Sequence, residues 1–227
     1  CIARVMRDFE IPANKLRTVH SGIDLNRFDV APLSRSEIGI PEGVPLAGNV
    51  AALVGHKDHA TLLDAVPVIL REAPEFRLVI AGEGPLRPHL EAQIVRLGIG
   101  HAVTLLGQRN DVPRLLRALD LFIMSSSEEG LGTSVLDAMA CGVPVVATDA
   151  GGIPEMVRDG ETGLLVQARN SADLADAVVR ATYDAQLREG LAGAALALVN
   201  HAFSADSMVS GNLAVYEELL SGSTGKK

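Results

Sequence analysis

Aromatic side chains and positive charge are both scarce in this sequence. Its 227 residues include no tryptophan, two tyrosines and five phenylalanines, and the formal net charge is -8. Binding to a nucleic acid requires a basic face, and binding to a single strand also uses aromatic side chains on which bases stack. We therefore expect no nucleic-acid partner for this protein.

Cysteines and long apolar segments are also rare. The two cysteines, Cys1 and Cys141, lack the spacing of metal ligands, and the pair His56 and His59 has no third ligand at a suitable distance along the chain. We therefore expect no bound metal. No apolar segment approaches the roughly 20 residues that span a bilayer, and no signal peptide is recognisable at the start. Together with the low cysteine content, these features predict a cytoplasmic protein.

The sequence does contain a regular alternation of β-rich and helical patterns. Hydrophobic residues make up 48% of the chain, which is enough for the core of one α/β domain. Predicted strands cover residues 45–54, 76–81, 103–106, 120–125, 144–148 and 163–166. Predicted helices cover residues 60–72, 86–97, 112–118, 171–199 with a break near Gly190, and 204–220. This alternation predicts an α/β fold, a Rossmann-like parallel sheet with helices on both faces.

The ends of the chain differ from this central domain, which we place at residues 31–220. Residues 1–10 have a helical pattern that starts without an initiator methionine, and residues 15–20 have the pattern of a short strand. We expect the chain to begin inside a larger protein, with residues 1–30 as the helix and linker left from a preceding domain. Residues 221–227 are predicted to be a frayed tail.

The most informative stretch is residues 125–148, SSSEEGLGTSVLDAMACGVPVVAT. An apolar strand leads into a glycine-containing loop, a helical pattern follows and ends at Gly142, and a second β-rich segment comes next. The loop and the first helical residues are Gly130, Leu131, Gly132, Thr133 and Ser134. A strand, a glycine loop and a helix N-terminus in this order present free backbone N–H groups to an anion.

Two acidic residues flank this anion site. Glu129 precedes the helix and Asp137 lies eight positions later, so the two fall near one helical face, roughly 12 Å apart along the axis. Acids at an anion site are explained if they bind hydroxyl groups while amides and a cation bind phosphate. A ligand that carries a sugar, a diphosphate and a ribose fits this pattern. The alternative is a capped surface helix with solvated acids.

The E-x7-D motif at residues 129–137, followed by AMACGVPVVATDAGGIPEMV, resembles the donor-site signature of retaining glycosyltransferases with the two-domain GT-B fold, glycosyl transferases group 1 or family 4. The resemblance implies that this chain is the C-terminal, donor-binding half of such an enzyme. It also implies a UDP-, GDP- or ADP-sugar as the substrate, with no cofactor and no metal. Glu129 would be the catalytic residue and would orient the transferred sugar through its hydroxyls, and Asp137 would hold the ribose. The family usually has glutamate at the second position, and aspartate is one methylene shorter.

A lysine follows the first strong strand. Lys57 is placed to neutralise a diphosphate at a strand's carboxyl end, and the alternative is a solvated surface lysine. In the resembled family an arginine on the strand usually acts together with this lysine. Ala52 stands at the arginine position here, so Lys57 would be the remaining cation.

Two further turns complete the candidate site. The GEGP turn, with Gly82 and Gly84, lacks the third glycine of a dinucleotide-binding fingerprint, so it is a weak signal for NAD. In the resembled family this turn borders the nucleotide pocket. Arg109, in the GQRND loop after a predicted strand, falls where the family receives the base. Gly151 and Gly152 would permit a close approach of the following loop.

The resemblance predicts that this half binds a nucleotide-diphosphate sugar and transfers little of it alone. The acceptor-binding N-terminal domain would be the missing partner, and any peripheral membrane contact would be made through it. Two alternatives remain open: a non-catalytic nucleotide-sugar-binding or regulatory module, and half of a UDP-sugar epimerase.

Overall fold

A single parallel sheet forms the centre of the computed structural model, which describes residues 11–223. Its six strands are β1 (Leu46–Val50), β2 (Arg77–Ala81), β3 (Val103–Gly107), β4 (Leu121–Met124), β5 (Val145–Thr148) and β6 (Leu164–Val166). The strand order is β3-β2-β1-β4-β5-β6, and all neighbouring strands are parallel. The fold class predicted from the sequence is therefore confirmed.

Residues 11–223 contain seven α-helices, of which the first four connect strands and the last three follow β6. They are α1 (His59–Glu72), α2 (Arg87–Leu97), α3 (Val112–Leu116), α4 (Thr133–Ala140), α5 (Ser171–Tyr183), α6 (Ala185–Ala202) and α7 (Ala205–Ser223). Helix α4 ends just before Gly142, as the sequence predicted. Gly142 has a positive φ of 69°, which is unfavourable for residues with a side chain. No helix within residues 11–223 is long and apolar enough to cross a membrane.

The core has two layers, one on each face of the sheet. Phe122 and Met124 of β4 pack on one face with α3 and α4, while Leu121 and Ile123 pack on the other with α1 and α5. Successive side chains of a strand point to opposite faces, so a run of fully buried residues is required when helices cover both sides. This explains why β4 (LFIM) and β5 (VVAT) are buried at every position rather than at alternate ones.

The predicted strand at residues 15–20 is wrong. Residues 16–22 form no strand; they run beside α7, where the Arg17 guanidinium donates to the Glu218 carboxylate. Gly22 lies so close to Ser204 that an added Cβ would be 2.2 Å from its carbonyl oxygen. The segment has β-forming residues but no strand edge to pair with. The helix predicted for residues 1–10 lies outside the described residues.

The predicted break near Gly190 is also misplaced. The chain leaves α5 and enters α6 at Asp184, whose carboxylate accepts a hydrogen bond of 2.8 Å from the Leu187 N–H. Gly190 lies inside α6. An aspartate that caps the first turn of a helix outweighs the modest helix-weakening effect of a glycine.

The last helix of the described residues, α7, has exposed apolar side chains. Val209, Leu213, Tyr216 and Leu220 are each more than half exposed and recur at helical spacing along α7. Before the sheet begins, Ile23 and Phe28 are buried in the same core as the strands. The domain limits at residues 30 and 220 stay predictions, and residues 224–227 of the predicted tail lie outside the described part.

Candidate functional site

The candidate site lies where the strand order reverses. Strands β1 and β4 are neighbours, but the connections that leave them lead toward opposite edges of the sheet. In open parallel sheets this arrangement opens a crevice at the carboxyl ends of the two strands, and ligands bind there. Two loops border the crevice, residues 51–58 after β1 and residues 125–132 after β4.

Lys57 and Glu129 form an ion pair across this crevice. The Lys57 ammonium donates to Oε2 of Glu129, and the two side chains are only 17% and 10% exposed. Ser126 Oγ donates to the same carboxylate oxygen at 3.2 Å, and the Gly130 N–H donates to Oε1 at 3.1 Å. The structure therefore brings together the lysine and the acid that the sequence singled out, and it holds the carboxylate by three donors.

Backbone contacts fix the two loops to each other. The Ser127 N–H donates to the His56 carbonyl at 2.8 Å, and Ser125 Oγ donates to the Lys57 carbonyl at 3.0 Å. These bonds position the short 3-10 helix Gly55–Lys57, from which the lysine side chain extends. The ion pair is thus built on two loops that cannot move independently.

A buried polar pair lies beneath the lysine. His59 is buried, with 1% of its surface exposed. Its Nε2 lies 3.1 Å from Oδ1 of Asn49, and Nδ2 of Asn49 donates to the Ile123 carbonyl at 2.8 Å. Because the Asn49 amide nitrogen is used on Ile123, its oxygen is the acceptor and His59 Nε2 carries the proton. Burial, reinforced by the nearby Lys57 charge, lowers the pKa of His59 to about 4. Nδ1 of His59 has no partner among the described residues.

The glycines after β5 allow the Glu129 loop to lie close by. A Cβ added to Gly151 would be 1.7 Å from the Glu129 carbonyl oxygen, and one added to Gly152 would be 2.1 Å from the Gly130 carbonyl oxygen. The Gly152 N–H donates to the Glu129 carbonyl at 3.2 Å. Side chains at these two positions would push the loop, and with it the carboxylate, out of place.

The N-terminus of α4 points its first amides at the same region. Gly132 precedes the helix with a φ of 70°, and it has no side chain that could cap the helix. Within the described chain, the N–H groups of Thr133 and Ser134 donate to no protein acceptor. Leu131 completes the loop between Glu129 and the helix. Uncapped amides and the helix dipole together favour an anion at this point.

Asp137 lies further along α4 and is half-buried. Burial raises the pKa of its carboxyl group, and the positive charge of Arg27 opposes this rise. The 3-10 helix Leu25–Phe28, which carries Arg27, packs against α4. The second acid is therefore not a solvated surface group, which disfavours the alternative of a simple capped helix.

The remaining predicted residues lie in the loops after β2 and β3. A Cβ added to Gly82 or Gly84 would be 1.9 Å or 2.5 Å from the carbonyl oxygens of Ala51 and Leu53, so both glycines permit contact between two loops. Arg109 donates to both carboxylate oxygens of Asp111 at 2.8 and 2.6 Å, which holds the pKa of Asp111 below its usual value. The Arg109 guanidinium therefore already has a carboxylate partner, and its contact with a base stays a prediction.

Other reactive groups are not organised for catalysis here. Burial raises the pKa of the Cys141 thiol to about 12, so a thiolate is not available at neutral pH. Within residues 11–223, no group of three or more histidine, cysteine, aspartate or glutamate side chains could hold a metal ion. The absence of a metal in the reaction stays a prediction.

Sequence reasoning missed the roles of Ser126 and Asn49 in this site, and it considered His59 only as a metal ligand beside His56. A signal for Asn49 was present, because a lone amide inside the apolar run of β1 must find a buried partner. Which residue pairs with Asn49 depends on which strand lies next to β1, and the sequence alone does not show the strand order.

The fold and the site together define a Rossmann-like α/β protein with a polar crevice at its switch point. The family model for glycosyl transferases group 1 matches residues 31–196, and the chain belongs to this family. The D-inositol 3-phosphate glycosyltransferase of Streptomyces scabiei is 34% identical over 237 residues, which cover 93% of this chain and 50% of that protein. The predicted family membership, as the C-terminal half of a GT-B protein, is confirmed.

Solved structures agree with this assignment. Anabaena Alr3699/HepE in complex with UDP-glucose superposes with a TM-score of 0.79 at 29% identity, covering 92% of this chain and 58% of that one. The C-terminal domain of the group 1 protein LpcC from Francisella tularensis superposes with a TM-score of 0.69 at 27% identity, covering 81% of this chain and all of that one. This chain spans about half the length of the curated relatives that it matches, for example 55% and 50%.

Proposed function

We propose that this chain is the donor-binding half of a retaining glycosyltransferase and that it binds a nucleotide-diphosphate sugar in the crevice between β1 and β4. The observation that carries the proposal is the Lys57–Glu129 ion pair beside the uncapped N-terminus of α4. A cation, free amides and a fixed carboxylate are the groups needed to bind a diphosphate on one side and sugar hydroxyls on the other.

In this proposal the diphosphate binds to Lys57 and to the amides of Thr133 and Ser134. A lysine ammonium has three N–H donors, so Lys57 can donate to a phosphate oxygen while it stays bonded to Glu129. The α4 N-terminus adds about half a positive charge. As the sugar leaves the diphosphate, negative charge grows on the phosphate oxygens, and these groups stabilise it without a metal ion.

Glu129 has the role of orienting the transferred sugar. Its carboxylate accepts from Lys57, Ser126 and Gly130, and ionised oxygens have about four lone-pair sites in total, so capacity remains for sugar hydroxyls. Asp137 accepts from the ribose hydroxyls, and the loop with Arg109 receives the base, mainly through its backbone. Gly82 and Gly84 let the loops after β1 and β2 meet at the border of the pocket, and the segment from Gly130 to Gly132 provides the space.

The acceptor and its binding site belong, in this proposal, to an N-terminal domain. The chain spans about half the length of its relatives, and the exposed apolar stripe on α7 is the kind of surface that a second domain covers. Transfer requires the acceptor hydroxyl to be held against the anomeric carbon with water excluded. We therefore expect the 227-residue chain to bind the donor in the cytoplasm but to transfer little without that partner.

A non-catalytic sensor of nucleotide sugars is the second candidate, and one observation favours it. Ala52 stands where the family usually has an arginine, and Glu129 already offsets the charge of Lys57, so the crevice has little net positive charge for a diphosphate. The name of the Streptomyces scabiei relative, a D-inositol 3-phosphate glycosyltransferase, supports a transferase rather than an epimerase.

Isothermal titration calorimetry with UDP, GDP, ADP and their glucose conjugates tests the proposal. Because HepE is known in complex with UDP and UDP-glucose, we expect UDP to be among the binders. One nucleotide should bind, and its sugar conjugate should bind more tightly. A module that senses only the nucleotide would bind it with no gain from the sugar, and no binding to any of the six ligands would refute both candidates.

A further inference from the structure

A second cavity lies at the opposite edge of the sheet from Lys57 and Glu129. It has a volume of about 240 Å³ and is lined where β1 and β4 begin, by Leu46 and Leu121, and where α5 ends and α6 starts. Strands β1 and β4 are parallel, with Ala47 opposite Leu121, so their amino ends meet at this edge. None of the lining residues belongs to the proposed donor site. We name this space the basal cavity.

The walls of the basal cavity are largely apolar. Val44, Pro45, Leu46, Phe76 and Leu121 line it. Phe76 and Leu46 are 1% exposed, so the rigid core of the sheet forms the floor. A hydrocarbon group placed here would lose contact with water on the side that faces this floor, which favours a ligand with an apolar body.

One of the two arginines at the rim has no carboxylate partner among the described residues. Arg35 donates to the Asp120 carboxylate at 2.8 Å and to the carbonyl of Val44 at 2.7 Å, and the other Asp120 oxygen accepts from the Leu46 N–H at 2.8 Å. Arg35 and Asp120 therefore neutralise each other. Arg188, the second arginine at the rim, has no carboxylate within 4.0 Å among residues 11–223.

Arg188 is fixed in place with one edge unused. Its Nη1 donates to the carbonyls of Ala181 and Thr182 at the end of α5. Its Nε and Nη2 have no protein acceptor in the described part of the chain. These two nitrogens form the fork that binds both oxygens of a carboxylate, and the two carbonyls prevent the guanidinium from swinging away.

We propose that the basal cavity binds a small monocarboxylate with an apolar body, its carboxylate on Arg188 and its body against Phe76 and Leu121. The cavity has the volume of about eight water molecules at roughly 30 Å³ each, so the ligand has on the order of ten non-hydrogen atoms. The arginine supplies affinity for the anion, and the apolar wall selects against inorganic anions. This inference does not depend on the proposed donor site.

Benzoate is a suitable probe, with benzamide as a neutral control of the same shape and inorganic phosphate as an anion without an apolar body. Two-dimensional amide NMR of the whole chain, titrated with each probe, gives the site and the affinity together. We expect benzoate to shift the amides of Leu46, Ala47, Leu121 and Thr182 with a Kd on the order of 1 mM. Benzamide and phosphate should leave these amides unmoved at the same concentrations.

Substitutions of Arg188 then separate the effect of its charge from the effect of its two-nitrogen fork. Arg188→Gln should weaken benzoate at least tenfold, and Arg188→Lys, which keeps the charge without the fork, should weaken it about threefold. Arg180→Gln is the matched control, since this exposed arginine of α5 does not line the cavity. An unchanged Kd in both Arg188 variants would overturn the proposal, as would equal shifts with benzoate and benzamide, or with benzoate and phosphate.

Discussion

The ammonium of Lys57 is bonded to the carboxylate of Glu129 although 72 residues separate them in the chain. Each residue lies in the loop after a strand, Lys57 after β1 and Glu129 after β4, and the sheet places these two strands side by side. The ion pair is therefore a direct consequence of the strand order. It also divides the proposed donor site into a phosphate side and a sugar side, which makes the contributions of the two residues separable by experiment.

The phosphate side can be tested by Lys57→Met, which keeps the length of the side chain and removes its charge. We expect UDP to bind about tenfold to a hundredfold more weakly, because a charge-assisted hydrogen bond contributes roughly 1.5–3 kcal/mol. Calorimetry measures the loss, and Lys15→Met, at an exposed lysine in another part of the chain, is the matched control. Equal UDP affinity in the wild type and Lys57→Met would mean that the diphosphate does not contact this lysine.

The ribose contact can be tested at Asp137. Asp137→Asn should reduce the affinity for UDP about fivefold and should reduce the preference for UDP over 2′-deoxy-UDP, because an amide oxygen is a weaker acceptor than a carboxylate. Asp137→Glu, which restores the usual family residue, should bind UDP at least as tightly as the wild type. Competition titrations with the two nucleotides measure the affinity for UDP and the preference for UDP over 2′-deoxy-UDP. Asp176→Asn, an exposed position on α5, should change neither, and an undiminished ribose preference in Asp137→Asn would remove this residue from the site.

The close approach at Gly151 can be tested by comparing two glycines with positive φ. Gly151→Ala would place a Cβ 1.7 Å from the Glu129 carbonyl oxygen at a φ of 55°, whereas Gly160→Ala, at a φ of 72°, meets no atom within 4 Å. The backbone strain of about 1–2 kcal/mol is common to both. We expect Gly151→Ala to lower the free energy of unfolding by a further 1 kcal/mol or more, as measured by urea denaturation, and to weaken donor binding. Equal free energies of unfolding for the two variants would show that the Glu129 loop can move away from residue 151 without loss of stability.

The buried histidine predicts a loss of stability in acid. His59 has a pKa of about 4 in the folded protein and about 6.5 in the unfolded chain. The unfolded chain therefore binds the proton first, so the contribution is complete above pH 6.5 and is lost as the pH falls toward 4. Between pH 7 and pH 4.5 this amounts to about 2–3 kcal/mol.

Urea denaturation of the wild type and His59→Gln at both pH values measures this contribution. The side-chain amide of glutamine can donate to Asn49 as His59 Nε2 does, but it does not titrate. The free energy of unfolding of His59→Gln should therefore fall less between pH 7 and pH 4.5 than that of the wild type. His101→Gln, at an exposed histidine, should keep the pH dependence of the wild type. Parallel pH dependence in the wild type and His59→Gln would contradict the assignment of a neutral buried histidine.

Much of the fold and part of the site could be predicted from local sequence patterns. Strands β1 and β5 follow a proline, β2 precedes a glycine and β6 follows one, and the loops after β1 and β4 carry Lys57 and Glu129. Since the carboxyl ends of parallel strands share one edge, a lysine after one strand and an acid after another converge without any knowledge of distances. The uncapped start of α4 follows in the same way from Gly132.

What could not be predicted depends on contacts between distant segments. The bond from Ser126 to Glu129 and the bonds of Asn49 with His59 and Ile123 require the register of neighbouring strands. Residues 15–20 have the composition of a strand, but no sheet edge lies beside them. At Asp184 a side-chain cap, rather than the nearby glycine, decides where one helix ends and the next begins.

The central claim is that Glu129 recognises the sugar of the donor, and the ratio of the affinities for UDP-glucose and UDP tests it most directly. Calorimetry of the wild type should give UDP-glucose about tenfold tighter than UDP. In Glu129→Gln the two ligands should bind equally, with UDP no weaker than before because Lys57 is released from its ion pair. Glu128→Gln, at the exposed neighbouring acid, should keep the wild-type ratio. A tenfold preference for UDP-glucose that survives in Glu129→Gln would contradict the account.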